Sequence, residues 1–384
     1  MFFRHVLQRC HFAISNPTST VTHHYARRSL FAALTLSCTA SPLLCAANTT
    51  PSSSASADDA LESVIITATR LDAARNGLSP ETGSSTYRLD ADDIKALPLG
   101  DATPMNQALL QAPGVVQDSF GQMHVRGDHA NLQYRINGVT IPEALTGFGQ
   151  SLDTRAASQI NMLTGALPAQ YGYRTAGIVD IHTKGYVADS GGSVAVTGGS
   201  HADRELGADF TGSSGKFSYS LIGSYLQNDL GIENPTPERN AVHDHTEQSK
   251  GFGYLSYILD DNSRVNFMFG LSNNHFEIPN TPGLSCDPSS CFTLNGVDTS
   301  SINSAALDAR QNEQNYFEAL SYQGKGGDSI DYQVAVFHRL TAVHYFPDPI
   351  GDLIFNGIAA TIKRRNKKMP RSTSSLTRCG CVCA

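Results

Sequence analysis

The chain has 384 residues, 16% charged and 40% hydrophobic, with 33 Gly, 14 Tyr, 17 Phe and no Trp. Low charge with abundant Gly, Tyr and Phe favours β structure, and outside the N-terminus no apolar run approaches the ~20 residues of a membrane-spanning helix. The net charge of −7 conceals four basic residues and no acid before residue 50, and seven basic residues and no acid at 363–384; residues 51–362 hold 17 basic residues against all 35 acids, which argues against a nucleic-acid partner.

At the N-terminus, Ala26-Arg27-Arg28 is a positive flank, Ser29 to Leu44 a short apolar core, and Cys45-Ala46-Ala47 a small-residue cleavage region. This is the pattern of a secretory signal peptide over residues 1–47, with an upstream extension that places the true start downstream of Met1. A lipoprotein signal ending at Cys45 is the alternative, set against by the bulk of Leu44, and the twin arginines are weak evidence for twin-arginine export. Residues 48–60 then read as a flexible polar linker. Residues 61–70 (LESVIITATR) are a β-branched run in flexible surroundings, read either as the first strand of the next domain or as a docking strand for another protein's sheet edge.

Residues 71–185 look like a compact mixed domain. Asp90 to Ile94 starts a short helix, and Pro104 to Leu110 a second, ended by Pro113-Gly114. Short strands follow at Gln122–Val125, Leu132–Ile136 and Ile178–Thr183, with Asn137-Gly138 as a hairpin turn. The glycines at 121 and 127 lack both nucleotide-binding spacings, so no phosphate loop is assigned.

From residue 190 the chain reads as all β. Seven strands are expected near 191–200, 204–211, 216–227, 249–259, 264–275, 313–323 and 329–346, several alternating strictly, as in Val265, Phe267, Phe269 and Leu271 against Arg264, Asn266 and Ser272. A soluble sandwich alternates in the same way, but the connections separate the two. Joins after the second, fourth and sixth strands are tight, whereas 228–248 and 276–312 are long, the arrangement of an outer-membrane barrel with long loops outside. Cys286 and Cys291 fall in the longest loop and read as a disulfide; two unpaired thiols or a partial metal site are the alternatives. His243-Asp244-His245 reads as solvated loop polarity rather than a metal site. No nucleophile–base pair appears, so no enzyme, no metal and no cofactor is assigned.

Five motifs in order give a family resemblance. Glu62-Ser63-Val64-Ile65-Ile66-Thr67-Ala68 resembles the TonB box of TonB-dependent outer-membrane receptors. Leu109 to Val115, with Pro113 and Gly114, resembles the plug's L-x-x-x-P-G-V. Met123 to Gly127 resembles its strand ending in Arg126-Gly127. Tyr134 to Val139 resembles its hairpin, with Asn137 ahead of Gly138 where Asp is usual. Gly165 to Gly172 with Tyr171, followed by Gly177 and Ile178 to Lys184, resembles its closing segment. The resemblance implies an α+β plug followed by antiparallel transmembrane β-barrel strands, in the outer membrane of a Gram-negative bacterium. It also implies energised uptake of a scarce small ligand such as an iron–siderophore, with TonB and its inner-membrane energising complex, and outer-membrane lipid, as partners.

Length departs from the family. A barrel of about 22 strands of about ten residues needs roughly 220 residues in the membrane, and residues 186–362 are too few. The sequence therefore reads as a non-functional N-terminal fragment with an incomplete barrel; a small outer-membrane barrel or surface-binding protein is the alternative. Residues 363–384 are basic, Cys-rich and non-alternating, read as out-of-frame sequence or else as a zinc or redox tail.

Overall fold

The computed structural model describes residues 57–76, 84–348, 351 and 372–383, apart from 119–120, 130, 142–147, 149–150, 168–170, 172–173, 188–189, 287–290, 295 and 327–329. The signal peptide and most of the linker lie outside the described residues, as does Gly172. Among the described residues no helix is long and apolar enough to cross a membrane.

The first described element is a helix, α1 (Ala57–Asn76), which covers the end of the expected linker and the whole expected docking strand. After it comes β1 (Ser84–Asp90), then α2 (Ala91–Lys95), started as expected by a capping box in which Asp90 accepts from the Asp92 and Asp93 amides while the Asp93 carboxylate accepts from the Asp90 amide. The second expected helix is α3 (Met105–Leu109), with Met105, Asn106, Ala108 and Leu109 buried.

Two small sheets follow. β2 (Val115–Gln117), β3 (Met123–Val125) and β4 (Asp128–His129) form a three-stranded meander, and Arg126-Gly127 is its second turn, both residues at positive φ (51° and 84°). β5 (Leu132–Ile136), β6 (Val139–Thr140), β7 (Ala157–Gly165) and β8 (Gly177–Thr183) join β1 in a five-stranded sheet ordered β1-β7-β8-β5-β6. β5 and β8 are parallel; the other pairs are antiparallel. Asn137-Gly138 forms the two-residue turn between β5 and β6, with φ of 49° and 81°. An amide at 137 serves both neighbours it meets: Asn137 donates to Thr183 Oγ1 (2.8 Å) and accepts from the Thr183 amide (3.1 Å).

The rest is one large antiparallel sheet. Its strands are β9 (Gly191–Gly198), β10 (Arg204–Ser214), β11 (Phe217–Asn228), β12 (Thr246–Asp260) and β13 (Ser263–Glu277), then β16 (Arg310–Gly326), β17 (Ile330–Phe346) and β18 (Ser372–Cys383). The long β13–β16 loop carries the small hairpin β14 (Thr293–Leu294) and β15 (Val297–Asp298). Every wall strand pairs with its chain neighbour, in the order β18-β17-β16-β13-β12-β11-β10-β9, and β9 and β18 do not pair with each other. Seven strands fall where the sequence places them; the eighth does not. The expected non-alternating tail is paired with β17 from Tyr345↔Ser372 to Val334↔Cys383. An open strand edge pairs through backbone groups, so alternation of side chains is no precondition.

The wall is inside out compared with a soluble sandwich. On β13, Arg264, Asn266, Ser272 and Asn274 are buried while Phe267 and Leu271 are exposed; on β16, Glu313, Asn315, Ser321 and Gln323 are buried while Tyr316, Leu320 and Tyr322 are exposed. The apolar outer face suits lipid and the polar inner face suits a hydrated lumen. Here the inner face meets the plug. Ile222, Phe252, Tyr254, Met268 and Phe317 of the wall join Ile136, Val139, Ile160 and Ile181 of the plug in a single apolar cluster. Polar contacts frame it: Arg339 donates to the Ile141 carbonyl (2.8 Å) and Gln333 to the Asn137 carbonyl (3.2 Å). Arg155 bridges Asp153 (2.9 Å) and Glu205 (2.8 Å).

The two open edges carry a consequence. Each unpaired backbone group facing lipid costs several kcal/mol. The 384 residues expressed by themselves with the signal are expected to be degraded or aggregated in the periplasm. A stable, heat-modifiable band in outer membranes would promote the small-barrel alternative.

Candidate functional site

The two ends of the wall differ. One end has the tight joins at Gly215-Lys216 and Asp261-Asn262; the other has the 229–245 and 278–309 loops.

At the tight-turn end lies α1. Val64, Thr67, Ala68 and Leu71 recur at helical spacing; Thr67, Ala68 and Leu71 are buried and Val64 partly so, while Glu62, Ser63, Ile66 and Thr69 face solvent. The docking segment Glu62–Ala68 is thus helical rather than extended. A lone strand leaves its amides and carbonyls unpaired, whereas a helix pairs them internally, and residues 57–76 contain no Gly or Pro to break one. Three contacts tie the helix to the wall's tight turns. Arg70 Nη2 donates to Asn262 Oδ1 (3.3 Å), Asp72 is paired with buried Arg264 (2.8 Å), and the Leu71 carbonyl accepts from Gln323 Nε2 (2.6 Å). Gly185 leaves room for the Asp72 carboxylate: a Cβ there would lie 2.3 Å from Oδ2.

The remaining expected plug residues hold backbone and packing roles. Gly114 (φ 77°) accepts the Arg126 amide on its carbonyl (2.8 Å), beside exposed Pro113. Gly165 ends β7 at φ 93°. A Cβ on Gly177 would meet Leu132 and the Leu163 carbonyl at 3.0 Å. Buried Tyr171 lies under the Arg135 guanidinium, 5.1 Å from its ring centre.

At the long-loop end lie two polar clefts, one between the plug and a loop and one among the wall's own turns and loops. The first, of about 300 Å³, lies between Gln107, Gln117, Asp118 and Phe148 of the plug and Gly231 to Glu233 of the loop. Phe148 is held by its amide on Glu313 Oε1 (2.7 Å) and its ring edge against Phe276 (5.4 Å). The second, of about 510 Å³, lies between the turn at His201-Ala202, Asp229, Asn240, Ala241, residues 243–245 and Glu277. Two of its histidines are paired. His243 sets Nδ1 on the Ile278 carbonyl and Nε2 on Asp308, both at 3.0 Å. His245 sets Nδ1 on Asp229 (2.7 Å), whose hydrogen bond raises the imidazole's pKa above the ordinary value despite partial burial.

Asp244 is only 3% exposed. Its Oδ1 accepts the Ile232 amide (3.0 Å), and Oδ2 has no hydrogen-bond partner. Burial pushes this carboxyl up to about 7, with Glu277 and Asp229 adding to the rise and the Ile232 bond and His243 opposing it. The folded loop therefore binds this proton more tightly than the unfolded chain, and the stabilisation it gives is lost as pH rises from about 4 through 7. No group of three or more His, Cys, Asp or Glu able to hold a metal ion occurs among the described residues. Sequence reasoning put the 243–245 triplet in solvent and missed the burial of Asp244; it also missed Arg155 and Glu313, whose inward positions were legible only in part, Glu313 from the strand period.

No family model and no curated protein sequence matches the chain. Solved structures do. The siderophore receptor PirA from Acinetobacter baumannii aligns over 76% of this chain and 44% of its own, at 16% identity and a TM-score of 0.55. A variant of the ferric enterobactin receptor PfeA from Pseudomonas aeruginosa, in complex with enterobactin, aligns over 77% and 46%, at 15% identity and 0.53. The alcaligin outer-membrane receptor FauA from Bordetella pertussis aligns over 70% and 44%, at 16% identity and 0.50. The fold is that of the plugged outer-membrane receptors. The chain spans under half the length of these three receptors. The five- and three-stranded sheets lie within the expected plug region, 71–185, and the eight-stranded wall runs from β9 to β18.

The structure joins Cys286 to Cys291, with Cα atoms 5.5 Å apart, in the longest loop. A thiol label applied to exported, unreduced protein is expected to leave both cysteines unmodified and to modify both after reduction. Labelling before reduction would overturn the pairing or the outward placement of the loop.

Proposed function

We propose that the chain serves TonB-dependent, energised uptake of a scarce small ligand, such as an iron–siderophore, across the outer membrane of a Gram-negative bacterium. One observation carries this reading: a folded plug packs against the polar, buried face of a wall whose other face is apolar and exposed. The plug closes the lumen, the polar clefts at the long-loop end receive the ligand outside the cell, and α1 at the opposite end offers the TonB-binding residues Glu62 to Ala68 to the periplasm. The small-barrel alternative gives no reason for a plug of this size, because eight strands close around side chains rather than around a folded domain.

In this reading a pull on α1 reaches the wall through Asp72–Arg264 and the Leu71 carbonyl–Gln323 bond before it reaches the plug sheet. The segment 61–185 contains no cysteine, so no disulfide resists its displacement. Because β9 and β18 are not paired with each other among the described residues, the reading is tested through binding.

Strand pairing with TonB depends on backbone N–H groups more than on side chains. Ile65→Pro removes one such donor and breaks a helix interior at a cost of about 3 kcal/mol; Ile65→Ala retains the donor. Calorimetric titration of the solubilised chain with the periplasmic domain of TonB is expected to show binding for the parent and Ile65→Ala and none for Ile65→Pro. Equal loss in both variants would count against strand pairing, and unchanged binding by Ile65→Pro would overturn it.

A further inference from the structure

We propose that the 510 Å³ outer cleft binds a protonated amine through Asp244 and Glu277, so that the ligand class taken at this face carries an alkylammonium group. The proposal rests on the reading of the long-loop end as the outer face and deepens it by naming the charge of the ligand.

The first observation is an unfilled acceptor. Asp244 is 3% exposed, lines the cleft, and has one oxygen tied to the Ile232 amide while Oδ2 has no partner. A buried carboxylate oxygen without a donor is costly, and a charge-assisted N–H···O bond is the strongest compensation open to it.

The second is a surplus of negative charge. Five carboxylates gather here: Asp229, Asp244, Glu247, Glu277 and Asp308. Facing them are His243, His245 and Arg310. Arg310 Nε lies 2.6 Å from Asp308, which also takes His243, and Asp229 takes His245. Glu277 accepts only the His245 backbone amide at 3.3 Å, and its other oxygen stands 3.8 Å from His243 Nε2. With Asp244 ionised and both imidazoles neutral the set carries four net negative charges. The neighbouring cleft adds Asp118 and Glu233 and no basic residue. An anionic ligand meets repulsion along this face, and a cationic one meets attraction.

Size and shape narrow the cation. The cleft is far larger than a bare ion needs, and no three ligating groups converge among the described residues. Asp244 offers a single free oxygen rather than the pair that a planar guanidinium grips, so a point-like ammonium fits better.

The test is calorimetric titration of the detergent-solubilised full chain with 1,5-diaminopentane and with its neutral diacetylated form. Asp244→Asn keeps the oxygen that accepts from Ile232, and Glu277→Gln is more exposed, so the two variants guard against loss of folding. The expected result is binding of the diamine, none of the diacetylated form, at least a tenfold loss in Asp244→Asn and a several-fold loss in Glu277→Gln. Asp331→Asn, on β17 at the tight-turn end, is expected to leave binding unchanged. Lowering the pH from 8 to 6 is expected to weaken binding roughly tenfold, because Asp244 titrates at about 7. His201, His243 and His245 also face the cleft, and any positive charge they gain as the pH falls pushes in the same direction. Equal binding of the acetylated form, unchanged binding in both carboxylate variants, or binding of Zn²⁺ without binding of the diamine would overturn the proposal. TonB takes no part in this measurement, so a failure of TonB capture would sink the uptake reading and leave this result intact.

Discussion

A sheet with apolar residues on its exposed face and Arg, Asn, Gln and Glu on its buried face cannot close on itself as a dry core. Its inner polar groups need partners, and its backbone needs a continuous ladder wherever lipid is the solvent. Both demands shape this chain. The ladder runs from β9 to β18 with one register shift, at Ile258–Asp260, and the inner groups meet the plug and the helix before it: Glu313 holds the Phe148 amide, Arg264 holds Asp72, and Glu205 holds Arg155. The plug in turn owes part of its core to the wall, since Phe252, Tyr254, Met268 and Phe317 pack with Ile136 and Ile160.

Close packing at this boundary is set by missing side chains as much as by those present. Gly207 on β10 faces the Arg155 guanidinium, where a Cβ would stand 2.5 Å from Cζ. Arg155 is thereby allowed to lie flat against the wall between Asp153 and Glu205. Its pKa stays above the ordinary value because the two carboxylates outweigh the burial that opposes them.

Much of the fold was legible in the sequence, for local reasons. Wall strands announce themselves by a period of two, and seven of them fall within a few residues of their expected bounds, because the outer-apolar rule acts on each residue independently. The hairpin at Asn137-Gly138 and the cap at Asp90 were legible because their geometry is fixed within four residues. What stayed hidden is what tertiary context decides. The β-branched run at 64–67 favours a strand, yet with no sheet edge beside it the segment coils and buries Ala68 and Leu71. The Ser372–Cys383 strand has no pattern of its own and follows the edge of β17. Asp244 looked solvated because nothing local tells that Ile232, twelve residues away, donates to it.

The helical state of residues 62–68 changes the thermodynamics of any partner that takes them as a strand. Most main-chain bonds in α1 already exist, so a new ladder exchanges them one for one instead of adding to a bare chain. Only the difference between the two ladders, less the contacts of Thr67, Ala68 and Leu71 that must be given up, remains as affinity. A grip made this way is weak at rest and lets go readily, and the segment refolds behind the departing partner without outside help. Against such a partner the coil of α1 would act as a return spring.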